Sequence, residues 1–149
     1  MTVLIDTNVI LDVLLRREQF LEKSSLVMLL SEKNIIDGYV TASAITDIFF
    51  ITNATYKNKQ KSMGLLKDLL KTINIATVTG EEIYRAINLN WNDFEDAVQY
   101  SAGERIQADY IVTRDVRGYA NNTIPALQPA DFLTIIDERS GVADVLAQT

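Results

Sequence analysis

The opening stretch of the chain constrains its fold more than any other. A short run of branched apolar residues, Val3-Leu4-Ile5, stops at Asp6, and an apolar pattern of helical period begins immediately afterwards. Such a run is typical of a strand that is buried on both faces, as in a parallel sheet. Asp6 would then lie at the carboxyl end of a central strand, where α/β sheets bind their ligands. Asp6 could equally cap the following helix, a role that is also open to Thr7 or Asn8.

The rest of the chain repeats this alternation of strand and helix. Short apolar runs at residues 39–42, 75–78 and 110–113, with a shorter one at 126–127, are separated by stretches of helical period. Strands that alternate with helices predict a parallel sheet with helices on its faces. Ser43 and Thr79 are the expected caps of two of these helices, and Glu82 completes a capping box with Thr79. We expect a single domain over residues 1–139, followed by a tail at 140–149 without a clear role.

The composition of the chain limits the kinds of catalytic and metal-binding site that it can form. The chain has neither histidine nor cysteine, which excludes Ser-His-Asp and Cys-His triads, histidine general bases, thiolate metal sites, zinc sites of the H-E-x-x-H kind and the zinc deaminases. Carboxylate oxygens alone suit Mg²⁺ or Mn²⁺. The net charge of −6 argues against a general nucleic-acid coat protein, which would be basic. No apolar run is long enough to span a membrane and no secretory signal is recognisable, so we expect a cytoplasmic protein.

Acidic residues converge on one edge of the predicted sheet. Asp6 and Asp115 directly follow the first and fourth strands, and Asp47 lies one turn into the helix after the second strand. Asp93 and Asp96 are both expected in the first turn of the helix that leads into the fourth strand. Each residue alone could be a helix cap or a solvated charge. Together they would repel one another strongly, and a bound cation would relieve that repulsion.

Four blocks of sequence carry a family resemblance. The stretches VLIDTNVILD, TASAITDIFFI, DFEDAVQYSAGE and ADYIVTRD occur in this order and span Val3 to Asp115. They resemble the PIN-domain ribonucleases, in particular the small bacterial toxins of the VapC type. The resemblance implies a three-layer α/β/α sandwich whose mainly parallel sheet has the strand order 3-2-1-4-5.

The resemblance also implies roles for individual residues. Asp47 stands where the family more often has glutamate, so its side chain is one methylene shorter, and Asp93 matches an auxiliary acid. Asp12 is expected to be an ordinary surface residue. The expected catalytic residues are Asp6, Asp47, Asp96 and Asp115, the expected metal ligands are Asp6, Asp93, Asp96 and Asp115, and the expected supporting residues are Thr7, Asn8 and Thr113.

The implied activity is Mg²⁺- or Mn²⁺-dependent endonucleolytic cleavage of single-stranded RNA. The same resemblance implies a homodimer and a small antitoxin as partner. The alternative is a catalytically silent PIN-like domain that binds RNA or protein. A receiver domain and a haloacid-dehalogenase-type phosphatase fit poorly, because the aspartates and the lysine that they require are absent from the matching strand ends. Arginines are the preferred RNA contacts over the lysines of residues 57–71, which fit a solvated helix face; the candidates are Arg16, Arg114 and Arg117.

Overall fold

Five parallel strands form one sheet within residues 1–119 and 123–147, the part of the chain that the computed structural model describes. Their order across the sheet is β3-β2-β1-β4-β5. Every neighbouring pair is parallel, so all five strands end at the same edge. This confirms the predicted strand order. The strands are β1 (Thr2–Ile5), β2 (Asp37–Thr41), β3 (Asn74–Ala76), β4 (Tyr110–Val112) and β5 (Ala126–Leu127).

Helices connect the strands and cover both faces of the sheet. They are α1 (Thr7–Leu14), α2 (Glu18–Glu32), α3 (Ala42–Tyr56), α4 (Lys59–Thr72), α5 (Gly80–Leu89), α6 (Phe94–Arg105), α7 (Pro129–Ser140) and the short α8 (Val142–Ala147). A 3-10 turn (Val116–Tyr119) follows β4. None of these helices is long and apolar enough to cross a membrane.

The central strand β1 divides the core into two layers. Val3 and Ile5 pack into the larger apolar cluster, which includes side chains of α1, α2, α3, α4 and α7. Leu4 points to the opposite face, where it packs with Tyr100 of α6 and Ile111 of β4. All three β1 side chains are fully buried. The three-layer α/β/α sandwich predicted from the sequence is therefore confirmed.

The C-terminal segment adds a small contact to the larger apolar cluster. Helix α7 ends at Ser140 and α8 follows directly after Gly141, whose left-handed φ of +60° ends α7. Leu146 packs against the cluster. Residues 148 and 149 of the predicted tail lie outside the described part of the chain.

Several helix starts differ from the predictions. Asp6, rather than Thr7 or Asn8, occupies the N-cap position of α1, and its side chain makes no capping hydrogen bond. Thr41, rather than Ser43, precedes α3. The capping box of Thr79 and Glu82 at the start of α5 is present as predicted. Thr7 and Asn8 contact Glu95 and Arg114 from other elements instead of capping α1, and the Ser43 hydroxyl donates to Thr41.

Asp12 is the clearest departure from the sequence-based interpretation. It was expected on the surface, but its side chain is 0 % exposed. Its carboxylate lies 2.9 Å from Nε of Arg114 and 3.3 Å from Nη1 of Arg17, and it accepts a hydrogen bond from Ser24. The Arg114 guanidinium also lies 4.0 Å from the ring centroid of Phe20 in α2. Asp12 thereby joins α1, α2 and the segment that follows β4.

We expect Asp12→Asn to lower the free energy of unfolding by about 3 kcal/mol, because it leaves two partly buried guanidinium groups without their charged partner. Urea denaturation monitored by circular dichroism measures this. Asp68→Asn is the matched control, since the Asp68–Lys71 pair is exposed and should contribute less than about 1 kcal/mol. Equal effects of the two substitutions would contradict a structural role for Asp12.

Candidate active site at the carboxyl edge of the sheet

The five predicted acidic residues all line one cleft at the carboxyl edge of the sheet. This main cleft has a volume of about 410 Å³. Four separate segments contribute its acids: the end of β1, helix α3, the start of α6 and the segment after β4. Its lining comprises the acids Asp6, Asp47, Asp93, Glu95, Asp96 and Asp115 together with Thr7, Asn8, Leu11, Arg17, Phe50 and Ile51.

Asp6 is the most enclosed of these carboxylates, with 4 % of its surface exposed. Its Oδ1 accepts a hydrogen bond from Nε2 of Gln99 at 3.0 Å. Its Oδ2 accepts bonds from Oγ1 of Thr113 at 2.7 Å, Nδ2 of Asn8 at 3.4 Å and the hydroxyl of Tyr119 at 3.4 Å. All four donors are neutral. They fix the carboxylate in place without cancelling its charge.

The small polar residues predicted as supporting groups link the acids to one another. Thr113 donates to Asp6 and accepts a hydrogen bond from the backbone N–H of Asp115 at 3.0 Å. Thr7 is in contact with Glu95, with 3.5 Å between Oγ1 and Oε1. Besides donating to Asp6, Asn8 accepts a hydrogen bond from the backbone N–H of Arg114. These contacts join the end of β1 to the segment after β4.

Asp96 is buried at the start of α6, and its ionisation is strongly perturbed. Asp93 is the N-cap residue of this helix and accepts a hydrogen bond from the backbone N–H of Asp96. Burial, followed by the negative charges of Asp6 and Asp93 and by the weaker influence of Asp115, raises the pKa of Asp96 to about 7. Burial is the largest cause of this shift, and the like charges of the cleft add to it.

The 3-10 turn after β4 supplies two residues, Gly118 and Tyr119, that lie against the carboxylates. The hydroxyl of Tyr119 hydrogen-bonds to both Asp6 and Asp96. Burial and these two charges raise the pKa of Tyr119, so its hydroxyl remains protonated and acts as a donor. Gly118 lies against Asp96 and Asp115, and a Cβ at this position would collide with the Asp96 carboxylate. The missing side chain leaves space between the two acids.

Glu95, in the first turn of α6, and Asp47 of α3 also line the main cleft. Desolvation raises the pKa of Glu95, and the charges of Asp47, Asp6 and Asp93 raise it further. Asp47 is exposed and lines the cleft from α3. The charge of Asp47 influences the pKa of Glu95, so these two carboxylates lie close to each other.

The candidate RNA-binding arginines have different surroundings. Arg114 and Arg17 are both paired with Asp12, so the guanidinium of Arg114 is committed to a structural contact. Arg16 is exposed and lines neither the main cleft nor its neighbour. Arg117 is exposed on the 3-10 turn and lines the neighbouring cleft. The lysines of residues 57–71 line neither cleft, consistent with a solvated face.

This neighbouring cleft, the side cleft, has a volume of about 530 Å³. It shares Asp93, Asp96 and Asp115 with the main cleft, so the two meet at these carboxylates. Its other lining residues come from the end of α5, the loop that follows and the 3-10 turn. They are Leu89, Asn90, Trp91, Asn92, Arg117 and Gly118.

The donor set of the main cleft fits a divalent cation. Within residues 1–119 and 123–147 no three acidic side chains are already arranged around an ion-sized position. None of the six cleft acids has a lysine or arginine within ion-pair distance in the same part of the chain. Arg17, which also lines the cleft, is paired with Asp12 instead. Hard oxygen ligands with excess negative charge suit Mg²⁺ or Mn²⁺.

Sequence reasoning missed four residues that shape this site: Gln99, Tyr119, Gly118 and Glu95. Gln99 could have been found from spacing, because it lies three residues after Asp96 and shares a helix face with it. Tyr119 and Gly118 belong to an irregular turn that carries no periodic signal. Glu95 lies between Asp93 and Asp96 and was passed over in favour of those two.

Comparisons with known proteins agree with this geometry. A family model described as PIN domain matches residues 2–117, and a search of curated proteins finds no significant match. The fold is similar to that of a chain in the crystal structure of VapBC2 from Rickettsia felis bound to a promoter DNA fragment. The TM-score is 0.69 at 12 % sequence identity, and the alignment covers 86 % of this chain and 98 % of that chain.

Two further solved structures are similar. For a chain of a toxin–antitoxin complex from Klebsiella pneumoniae the TM-score is 0.63, with 14 % identity over 85 % of this chain and 97 % of that one. For a chain of FitAB bound to the IR36 DNA fragment the TM-score is 0.60, with 19 % identity over 85 % and 94 % of the two chains. At these identities the structural matches establish a shared fold.

The perturbed pKa of Asp96 predicts how the stability of the metal-free protein depends on pH. Between the ordinary pKa of 3.8 and the folded-state value of about 7, the folded protein keeps a proton that the unfolded chain has lost. Its stability should therefore fall as the pH rises through this window. Asp96→Asn should remove that decline. At pH 8 its free energy of unfolding should exceed that of the wild type by about 1–3 kcal/mol, which a higher urea midpoint would report.

Urea titrations in EDTA at several pH values between 4 and 8 test this prediction. Asp131→Asn, at an exposed position in the first turn of α7, is the control and should retain the wild-type slope. If Asp96→Asn lowers the free energy of unfolding relative to the wild type by the same amount at pH 8 as at pH 4.5, the crowding of charge at this site is contradicted.

Proposed function

The chain belongs to the PIN-domain family, and we propose that it is a metal-dependent endoribonuclease that hydrolyses phosphodiester bonds in single-stranded RNA. The observation that carries this proposal is the set of six acids from four segments that line one cleft without a basic partner. Such a set costs stability in the absence of a cation, as the raised pKa of Asp96 indicates. A fold tolerates that cost where a function depends on it.

Asp6, Asp96 and Asp115 are the proposed principal metal ligands, with Asp93 as an auxiliary ligand. Asp47 and Glu95 are proposed to act from the α3 side of the cleft. When bound there, Mg²⁺ or Mn²⁺ supplies positive charge to the scissile phosphate and lowers the pKa of a water molecule. Hydrolysis adds that water's oxygen to phosphorus and releases the 3′-oxygen of the preceding nucleotide. The products carry a 5′-phosphate and a 3′-hydroxyl.

The chain's own contribution is to hold the carboxylates in position before any substrate arrives. Gln99 and Thr113 hold the two oxygens of Asp6 from opposite elements, α6 and the end of β4. The Tyr119 hydroxyl hydrogen-bonds to both Asp6 and Asp96. A ligand whose orientation is fixed by neighbouring hydrogen bonds loses little entropy on binding an ion.

We further propose that the protein is the toxin of a toxin–antitoxin pair in the cytoplasm. The structures of similar fold include VapBC2, a complex described as toxin–antitoxin, and FitAB. A small antitoxin that places a basic side chain at the uncompensated acids of the main cleft would block them. A homodimer is proposed from the family resemblance.

The alternative is a catalytically silent PIN-like domain that binds RNA or protein. The feature that favours it is Asp47, an exposed and shorter acid at a position where the family more often has glutamate. Glu95 lies close enough to influence Asp47 electrostatically and could compensate for the missing methylene. Cleavage assays separate the two possibilities.

Purified protein should cleave labelled single-stranded RNA in Mn²⁺ or Mg²⁺ and lose this activity in EDTA. Asp6→Asn should lower the single-turnover rate by more than 100-fold, beyond the roughly 10–100-fold that loss of an outer partner costs. Asp131→Asn is the matched control and should retain the wild-type rate. RNA binding without metal-dependent cleavage would favour the silent domain, and equal cleavage by Asp6→Asn would refute the assigned site.

The toxin role is tested separately from the nuclease activity. A small open reading frame should lie beside the gene, and its product should co-purify with the tagged protein and inhibit RNA cleavage. The complex should form less well with a variant carrying Asp6→Asn and Asp96→Asn, because these changes remove negative charge that a basic side chain would contact. If no neighbouring product inhibits cleavage, the toxin role fails while the nuclease proposal stands.

A further inference from the structure

We propose that the side cleft is a nucleotide-binding subsite, in which Trp91 contacts a base and Arg117 contacts a phosphate next to the scissile one. This inference rests on the proposed nuclease function and names how the substrate strand is held. The family resemblance assigns no role to Trp91, and in the sequence this tryptophan only marks an interruption between two helical patterns.

The first argument is the position of the two clefts. The side cleft and the main cleft share Asp93, Asp96 and Asp115, so a strand that occupies both passes directly over these carboxylates. The side cleft's volume of about 530 Å³ lies within the roughly 300–1,000 Å³ typical of small-molecule sites. It is large enough for a single nucleotide beside the scissile bond.

The second argument is charge. Arg17 and Arg114 are both held by Asp12. Arg117 is exposed, and within residues 1–119 and 123–147 no carboxylate lies within ion-pair distance of it. It is also the only cationic residue among those that line the side cleft in this part of the chain. An unpaired guanidinium at the rim of an acidic site favours an anionic occupant, such as a phosphate, over a basic peptide.

The third argument is the rigidity of Trp91. Its indole stacks on Tyr100 with ring centroids 4.9 Å apart and an interplanar angle of 28°. It meets Tyr119 edge to face at 6.0 Å and 89°. A half-buried aromatic ring that is fixed in this way can stack with a base at little entropic cost, and such stacking tolerates any base.

Asparagine amides complete the polar lining of the side cleft. Asn90 ends α5 with a left-handed φ of +53°, and this turn brings Trp91 and Asn92 to the cleft. Asn92 is exposed. Asparagine side chains offer both a donor and an acceptor for the edge of an unpaired base. A duplex would keep these edges paired, so the subsite favours a single strand.

Trp91 is the only tryptophan in the chain, so its fluorescence reports on the subsite directly. Titrating the Asp6→Asn variant with single-stranded RNA hexamers in Mg²⁺ should quench the emission in a saturable manner. A duplex of the same sequence should bind at least about 5-fold more weakly. Unchanged emission while the RNA binds, as measured by anisotropy of a labelled strand, would overturn the proposal.

A second experiment compares two substitutions that each remove one positive charge. Arg117→Gln should raise KM for the RNA about 10-fold and change kcat by less than about 2-fold. The slope of log K for RNA binding against log salt concentration should fall in magnitude by about 1, as expected for the loss of one phosphate contact. Lys33→Gln is the control, because Lys33 is exposed at the end of α2, before β2 begins and therefore at the opposite edge of the sheet. It should leave both constants and the salt slope unchanged.

The outcomes keep the subsite and the nuclease function distinguishable. Metal-dependent cleavage with identical KM values in Arg117→Gln and Lys33→Gln overturns the subsite and leaves the nuclease intact. Saturable quenching of Trp91 that is weakened by Arg117→Gln, in a protein that cleaves no RNA, supports the subsite and refutes the nuclease. Quenching by the antitoxin but not by RNA would overturn the proposal in favour of a protein-binding cleft.

Discussion

The structure depends on the hydrogen bonds and ion pairs that fix the carboxylates of Asp6 and Asp12 near the carboxyl edge of the sheet. Asp6 and Asp12 are both buried aspartates, six residues apart, and the chain treats them in opposite ways. Asp12 is paired with two arginines, which neutralise it and tie α1 to the segment after β4. Asp6 receives only neutral donors. Its negative charge therefore remains available, while its orientation is fixed.

The α/β class was predictable from the sequence because its signals are local, whereas the strand order 3-2-1-4-5 was implied by the family resemblance. The β1 run, the alternation of strands and helices, and the rule that parallel strands end at a common edge were enough to bring Asp6, Asp96 and Asp115 together. Asp12 was not predictable in the same way. Helix α1 is buried on most of its circumference, so the usual inference from an aspartate on a helix to an exposed face does not apply.

The ion-pair partner of an arginine is also not readable from a single sequence. Arg114 and Arg117 lie three residues apart in one loop and looked equivalent as RNA contacts. In the structure Arg114 is committed to Asp12 and the ring of Phe20, whereas Arg117 faces the side cleft. The partner of Arg114 comes from α1, about one hundred residues earlier. Only the tertiary fold separates the structural arginine from the one available to a ligand.

The aromatic residues connect the two clefts physically. Tyr119 hydrogen-bonds to Asp6 and Asp96 and also meets Trp91 edge to face. Trp91 in turn stacks on Tyr100, which lies on the same helix as Asp96. An occupant of the side cleft would thus lie against the packed group that orients the carboxylates. Because Tyr119 and Trp91 are held by their neighbours, neither needs to rearrange before a bound strand meets the acids. The positions of the acids and the shape of the side cleft therefore depend on one packed unit.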